Sequence, residues 1–158
     1  MDPSFAPFAE DVLGIAHATV WCTVTTVDGE GRPRSRILHP IWEVIEDRPV
    51  VWVMTGRTPV KTSHLAANPH VAVSYWSPSQ DTVIADCLAA WVDDPAEKRR
   101  VWDLFGSTPE PLGYDPSFGG MVDGPDNPLF TPLRLDPYRV QVLRFAGWDK
   151  LAGRTWRT

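Results

Sequence analysis

The segment Thr55-Gly56-Arg57-Thr58-Pro59-Val60-Lys61 joins an apolar run, Val50 to Met54, to a stretch that reads as a helix. Threonine is a competent N-cap and proline is favoured at the first helical position, so the spacing predicts a helix opening after Thr58. Such a terminus leaves backbone N–H groups free and carries partial positive charge, which suits a phosphate. Lys61 stands in that first turn, where the helix dipole disfavours a cation by about 0.3–1 kcal/mol. A bound phosphate would reverse the sign of that cost; without one, Lys61 points into water. The residues alone leave both readings open.

A second basic stretch runs from Arg32 through Arg34, Ser35, Arg36, Ile37 and Leu38 to His39. Strand alternation puts Arg32, Arg34 and Arg36 on one face, with Ser35 and Ile37 on the other. Three arginines sharing a face repel one another unless an anion lies there. The alternative is a solvated edge strand whose charges deter aggregation. Other chemistry finds no support. The four histidines (17, 39, 64 and 70) make no metal-binding spacing, no Gly-x-Ser-x-Gly occurs, and Asp93-Asp94 is explained by helix capping. No residue is singled out as a catalytic acid, base or nucleophile.

The chain has 158 residues and a formal net charge of −5, which argues against nucleic acid or an anionic membrane as partner. Basic residues outnumber acidic ones from Arg32 to Lys61, whereas acids dominate from Asp81 to Asp126. A basic zone on an acidic protein suits a small anionic ligand. The length fits one compact domain over 1–158. Cys22 and Cys87 lie in apolar runs without a Cys-x-x-Cys, as buried free thiols do. The first residues are acidic with no long apolar run, and no stretch is long enough to span a bilayer. A cytoplasmic location is expected.

Around these segments, Phe5, Phe8, Val12, Leu13 and Ala16 recur at helical spacing and predict a helix over 5–16. Strands are predicted at Thr19 to Val27, Arg34 to Trp42, Val50 to Met54, Val71 to Trp76, Thr82 to Trp91 and Tyr138 to Phe145. Asp28-Gly29-Glu30-Gly31 makes a hairpin turn. The Thr58 helix stops at Asn68-Pro69, and Asp94 opens another that runs through Phe105. Residues 106–132, dense in Gly, Pro and Asp, form a long irregular loop expected to shape a substrate pocket. The fold class is mainly β, antiparallel, with strands that close into a small barrel to remove their edges. No GxGxxG or Walker sequence is present.

Arg36-Ile37-Leu38-His39, then Val53-Met54-Thr55, then Lys61, then Asn68-Pro69-His70-Val71 resembles, in order and spacing, the pyridoxamine 5′-phosphate oxidase superfamily of FMN-binding split β-barrels. The resemblance covers about residues 15–105 well and the remainder loosely, and small members include general-stress and deazaflavin-dependent types. It implies that Arg36 and Lys61 contact the FMN phosphate. Backbone groups of Ile37, Leu38 and His39 would face the ring or ribityl chain, and Thr55 would bond near the ring. A homodimer is implied, its second subunit completing each shared site near Gln80, Asp81 and Thr82, with Trp148 covering the ring. The family's Ser-Arg-Lys before the helix is replaced by Pro59-Val60-Lys61, so Arg57 or Arg34 would substitute as a phosphate ligand. Its C-terminal arginine-histidine signature is absent, so true pyridoxamine phosphate oxidase activity is not expected. What the resemblance implies is an FMN-dependent oxidoreductase acting on a small organic substrate. The alternatives are an F420-dependent reductase on the same fold, or a flavin- or haem-binding protein without turnover.

Overall fold

The structure is a computed structural model and describes residues 3–120, 123–150 and 152–158. Helix α1 covers Ala6–Thr19 and strand β1 Cys22–Val27. The predicted strand start at Thr19 therefore gives way to helix. Val20 caps the helix at φ 69°, donating its N–H to Ala16 O at 2.9 Å, so packing of the turn overrides the β preference of Thr19 and Val20.

The predicted strand Arg34 to Trp42 is two strands, β2 (Pro33–Leu38) and β3 (Pro40–Ile45), parted at His39. Each has its own partner: β2 pairs β1, with Val24 opposite Arg36, whereas β3 pairs β4 (Arg48–Met54). Pro40, which has no N–H to give a ladder, stands at the first residue of β3. Glu46 and Asp47, at φ 50° and 62°, close the β3–β4 hairpin in the left-handed region that such two-residue turns require. Asp47 Oδ1 then accepts from the backbone N–H groups of Phe5 and Ala6, at 3.1 and 3.0 Å, and so caps α1 from a distance.

Helix α2 (Pro59–Ala67) follows, then β5 (His70–Trp76), β6 (Thr82–Trp91), α3 (Pro95–Ser107) and a one-turn 3-10 helix at Gly124–Asp126. Strand β7 spans Pro132–Arg144, starting six residues before the predicted Tyr138, and β8 (Ala152–Arg157) is a strand that the sequence does not predict. Pro132 and Pro137 conceal the front of β7. The ladder with β6 accommodates Pro137 by a register shift at Asp86/Cys87.

All pairings are antiparallel, in the order β2-β1-β5-β6-β7-β4-β3. One side of β7 is taken by β6; the other is shared between β4 at Pro132 to Leu135 and β8 at Arg139 to Arg144. A flat sheet would hold β2 and β3 about 29 Å apart at the usual strand spacing. Only His39 joins them, so the sheet must curl until its two edges meet there. Among the described residues β2 and β3 do not pair with each other, and the barrel is left split at that seam rather than closed.

Inside the curl lie Val24, Trp42, Val51, Val53, Tyr75, Val140 and Trp156, with α1 as a plug. A second core, under α3, gathers Val50, Trp52, Val101, Phe105 and Phe130. Strand β4 is buried on both faces, which is why Val50 to Val53 is continuously apolar. Asp94 caps α3 by accepting from Glu97 N–H at 2.8 Å, as its sequence predicts.

Candidate functional site

Arg36 shares a face of the β1–β2 hairpin with Val24 and Thr26, and both terminal nitrogens of its guanidinium donate to Thr26 Oγ1 at 3.1 Å. That hydroxyl, accepting from Arg36, leaves its own proton for His64 Nδ1, 3.1 Å away on α2. One turn earlier on the same helix, Lys61 Nζ donates to Thr55 Oγ1 at 2.5 Å, at the end of β4. Burial holds the Lys61 pKa below the ordinary lysine value, and the Arg36 charge lowers it further. Burial likewise lowers that of Arg36. Among the described residues their only side-chain partners are hydroxyls. No carboxylate stands within ion-pair distance of either among the described residues.

The neighbouring cations are placed differently. Arg32 precedes β2, so strand alternation applies only to Arg34 and Arg36. Arg32 and Arg34 reach Asp28 in the hairpin turn at 2.9 and 3.2 Å. The backbone amide of Arg32, its side chain and the amide of Glu30 together hold the Asp28 carboxyl well below the usual range. Arg57 pairs with Asp93 at 2.8 Å and lies over the Trp91 ring at 4.8 Å. Free amides at the start of α2 are fewer than the sequence suggests. Pro59 has no N–H, and Lys61 N–H is taken by Thr58 Oγ1 at 3.4 Å, so the side chains carry most of the positive charge.

Thr55 also borders a cleft of about 820 Å³. Ile37, Leu38 and His39 line it with Met54, Thr55 and Gly56, and Glu110, Tyr114, Asp115, Phe118, Gly119 and Leu129 to Thr131 of the long loop form the remaining wall. Positions 121 and 122 of that loop lie outside the described residues. His39, at the seam, is clasped by Trp21 (centroids 4.9 Å apart) and Tyr114 (5.1 Å), and its Nε2 donates to Leu112 O at 2.6 Å. Burial lowers its pKa and the Leu112 bond partly opposes this. Burial also pushes the Tyr114 phenol up to about 12. Thr131 Oγ1 donates to Thr55 O at 3.2 Å, fastening the far end of the loop to β4.

The structure thus brings together Arg36, Ile37, Leu38, His39, Thr55 and Lys61. The remaining predicted residues lie elsewhere in the chain. Thr82 borders a second hollow with Trp21, Ile37 and Trp76. Gln80, at φ 70°, accepts from Trp76 Nε1 at 3.2 Å. Asp81 is buried, its carboxylate taken by Phe145 N–H (2.8 Å), Arg144 (2.9 Å) and Ser79 Oγ (3.1 Å). Trp148 is 86% exposed and meets Phe145 edge-on. Sequence reasoning missed Thr26, His64, Trp21 and Tyr114. The first two carried a signal: the Asp28 turn sets a register that puts Arg36 on the face of Thr26, and His64 lies three residues beyond Lys61 on one helix face.

The protein-family model described as pyridoxamine 5′-phosphate oxidase matches residues 10–144. The chain belongs to that family. Among solved structures similar to this pyridoxamine 5′-phosphate oxidase family member is general stress protein 26 from Bacillus anthracis str. Sterne, at 18% identity and TM-score 0.65, covering 96% of this chain and 98% of that one. A pyridoxamine 5′-phosphate oxidase-related, FMN-binding protein from Nostoc punctiforme is 17% identical with TM-score 0.61, covering 98% and 94%. A protein named F420 reductase is 18% identical with TM-score 0.53, covering 83% and 94%. These likenesses establish the fold as that of the FMN-binding split barrels. No curated protein matches the sequence.

Proposed function

We propose that this chain is an FMN-dependent oxidoreductase that works as a homodimer on a small organic substrate. One observation carries the reading: Arg36 and Lys61 are partly buried, repel each other, and among the described residues have only hydroxyls as side-chain partners, where Arg32, Arg34 and Arg57 have carboxylates. Two desolvated cations without an acid are costly unless an anion joins them. Their corner meets the cleft at Thr55, and the cleft's size falls within the ordinary range for small-molecule sites.

In this reading Arg36 and Lys61 hold the phosphate of FMN, while the Ile37–His39 backbone and Thr55 position its ring. When bound, the flavin supplies the hydride chemistry, which explains why no nucleophile or acid–base pair stands out. The chain's own contribution is to bind, orient and exclude water. His39 fastens the loop wall to the seam through Leu112, and Thr131 fastens its other end to β4. Arg34 and Arg57, the cations that the longer acidic tail of F420 would call upon, are ion-paired within the chain, which favours FMN.

Support for the dimer comes from the outer sheet face. Trp21, Ile37 and Trp76 are 58%, 61% and 63% exposed around a hollow of about 380 Å³ that Thr82 borders. Clustered exposure of that kind marks an interaction surface. A second copy there would bring Gln80, Thr82 and Trp148 of the partner towards the ring, across an isologous interface. The absorption spectrum of the purified protein tests the reading. FMN gives two visible bands and F420 a single one; a protein that takes up neither would contradict it.

A further inference from the structure

The loop wall has a consistent charge. Residues 106–132 contain four carboxylates, Glu110, Asp115, Asp123 and Asp126, and neither lysine nor arginine. Asp126 is engaged by Arg99 at 3.3 Å, but Glu110 and Asp115 border the cleft. Asp115 Oδ1 accepts from Ser117 N–H at 2.9 Å, a bond that keeps the carboxylate ionised. The other large described groups lining this side of the cleft, Tyr114, Phe118, Leu129 and Phe130, are aromatic or aliphatic. Among the described residues the sole basic side chain on the cleft is His39, whose Nε2 is already committed to Leu112 O. Arg36 and Lys61 do not border the cleft; they stand behind Thr55 in the anion corner.

We propose that the loop-side half of this cleft selects a flat aromatic substrate bearing positive charge, and rejects phosphorylated or carboxylated ones. Aromatic faces and two carboxylates attract a cationic ring. An anion entering there meets like charge and no cationic donor, which discriminates by repulsion. The inference rests on the flavin reading in one respect: it assigns the His39–Thr55 side to the cofactor ring and the loop side to the substrate.

Two probes of similar shape and opposite charge test it: N-methylquinolinium and naphthoate, titrated into FMN-loaded protein at neutral pH by calorimetry and by quenching of tryptophan fluorescence. The quinolinium is expected to bind about tenfold tighter or more. In the double variant Glu110→Gln, Asp115→Asn that ratio should fall several-fold, and added salt should shrink it in the parent. Naphthoate binding as tightly as the cation, a ratio indifferent to the two substitutions, or no binding of either probe would overturn the proposal. An FMN titration of the same samples reports separately on the cofactor. If FMN fails to bind, the flavin reading falls, and the charge preference of the bare cleft is still read directly.

Discussion

Lys61 and Arg36 owe their properties to what surrounds them. Burial works against both charges, Arg36 lowers Lys61 further, and the hydroxyls of Thr55 and Thr26 supply hydrogen bonds without neutralising charge. Replacing Arg36 by methionine keeps the bulk and removes that charge. The Lys61 pKa should then rise towards, without reaching, the ordinary lysine value, since burial is the larger cause. Side-chain NMR of the lysines across a pH titration measures this; an unmoved Lys61 would separate the two residues. FMN added to the parent should shift Lys61 upward as well, because a dianion favours its charged form. These expectations concern single groups and hold whether or not the protein turns over.

Elements position those groups, and some were legible in sequence while others were not. The caps of α2 and α3 were, because Thr58 and Asp94 each act on an amide three residues away. So were the places of Arg36 within a strand, Thr55 just past a strand end and Lys61 in the first turn of a helix. The front of β7, the Glu46-Asp47 turn and the pairing of β3 with β4 were hidden. Prolines disguised the first, a turn without glycine the second, and the third is a long-range fact that no window of residues contains. The Tyr114–His39 contact is hidden for the same reason. Thr58→Ala should cost about 1 kcal/mol of stability through the lost cap, read in urea unfolding. Gly113→Ala tests how the loop is held. A Cβ there would lie 1.8 Å from Thr108 O and 2.8 Å from Phe105 O, both backbone, so the chain must shift. A loss of about 1–3 kcal/mol or more is expected, together with weaker ligand binding in the cleft, measured by thermal melting and titration. A stable variant with parental binding would show the loop to be more compliant than its contacts imply.

At the scale of the molecule, α1 is fastened to the C-terminal strands by charge. Asp11 pairs with Arg144 at 2.7 Å and also with Arg154, while Arg144 reaches Asp81 at 2.9 Å. The Arg144 hydrogen bond is the chief cause holding the Asp11 pKa down. For Asp81 burial acts upward, but the Phe145 amide and Arg144 outweigh it and the net shift is downward. Carboxyls with depressed folded-state pKa values stabilise the fold above their unfolded value, near 3.8, and lose that contribution as pH falls through the folded value. Stability should therefore drop below about pH 4, and Arg144→Met should flatten the drop; parallel acid-unfolding curves would remove the network from the account. The centre of the account is the anion corner, and its most direct measurement compares FMN with riboflavin, which differ only by the phosphate. In the parent FMN should bind far more tightly. Lys61→Ala should weaken FMN by about 1.5–3 kcal/mol and leave riboflavin unchanged. Equal loss for both ligands, or no advantage of FMN over riboflavin in the parent, would contradict it.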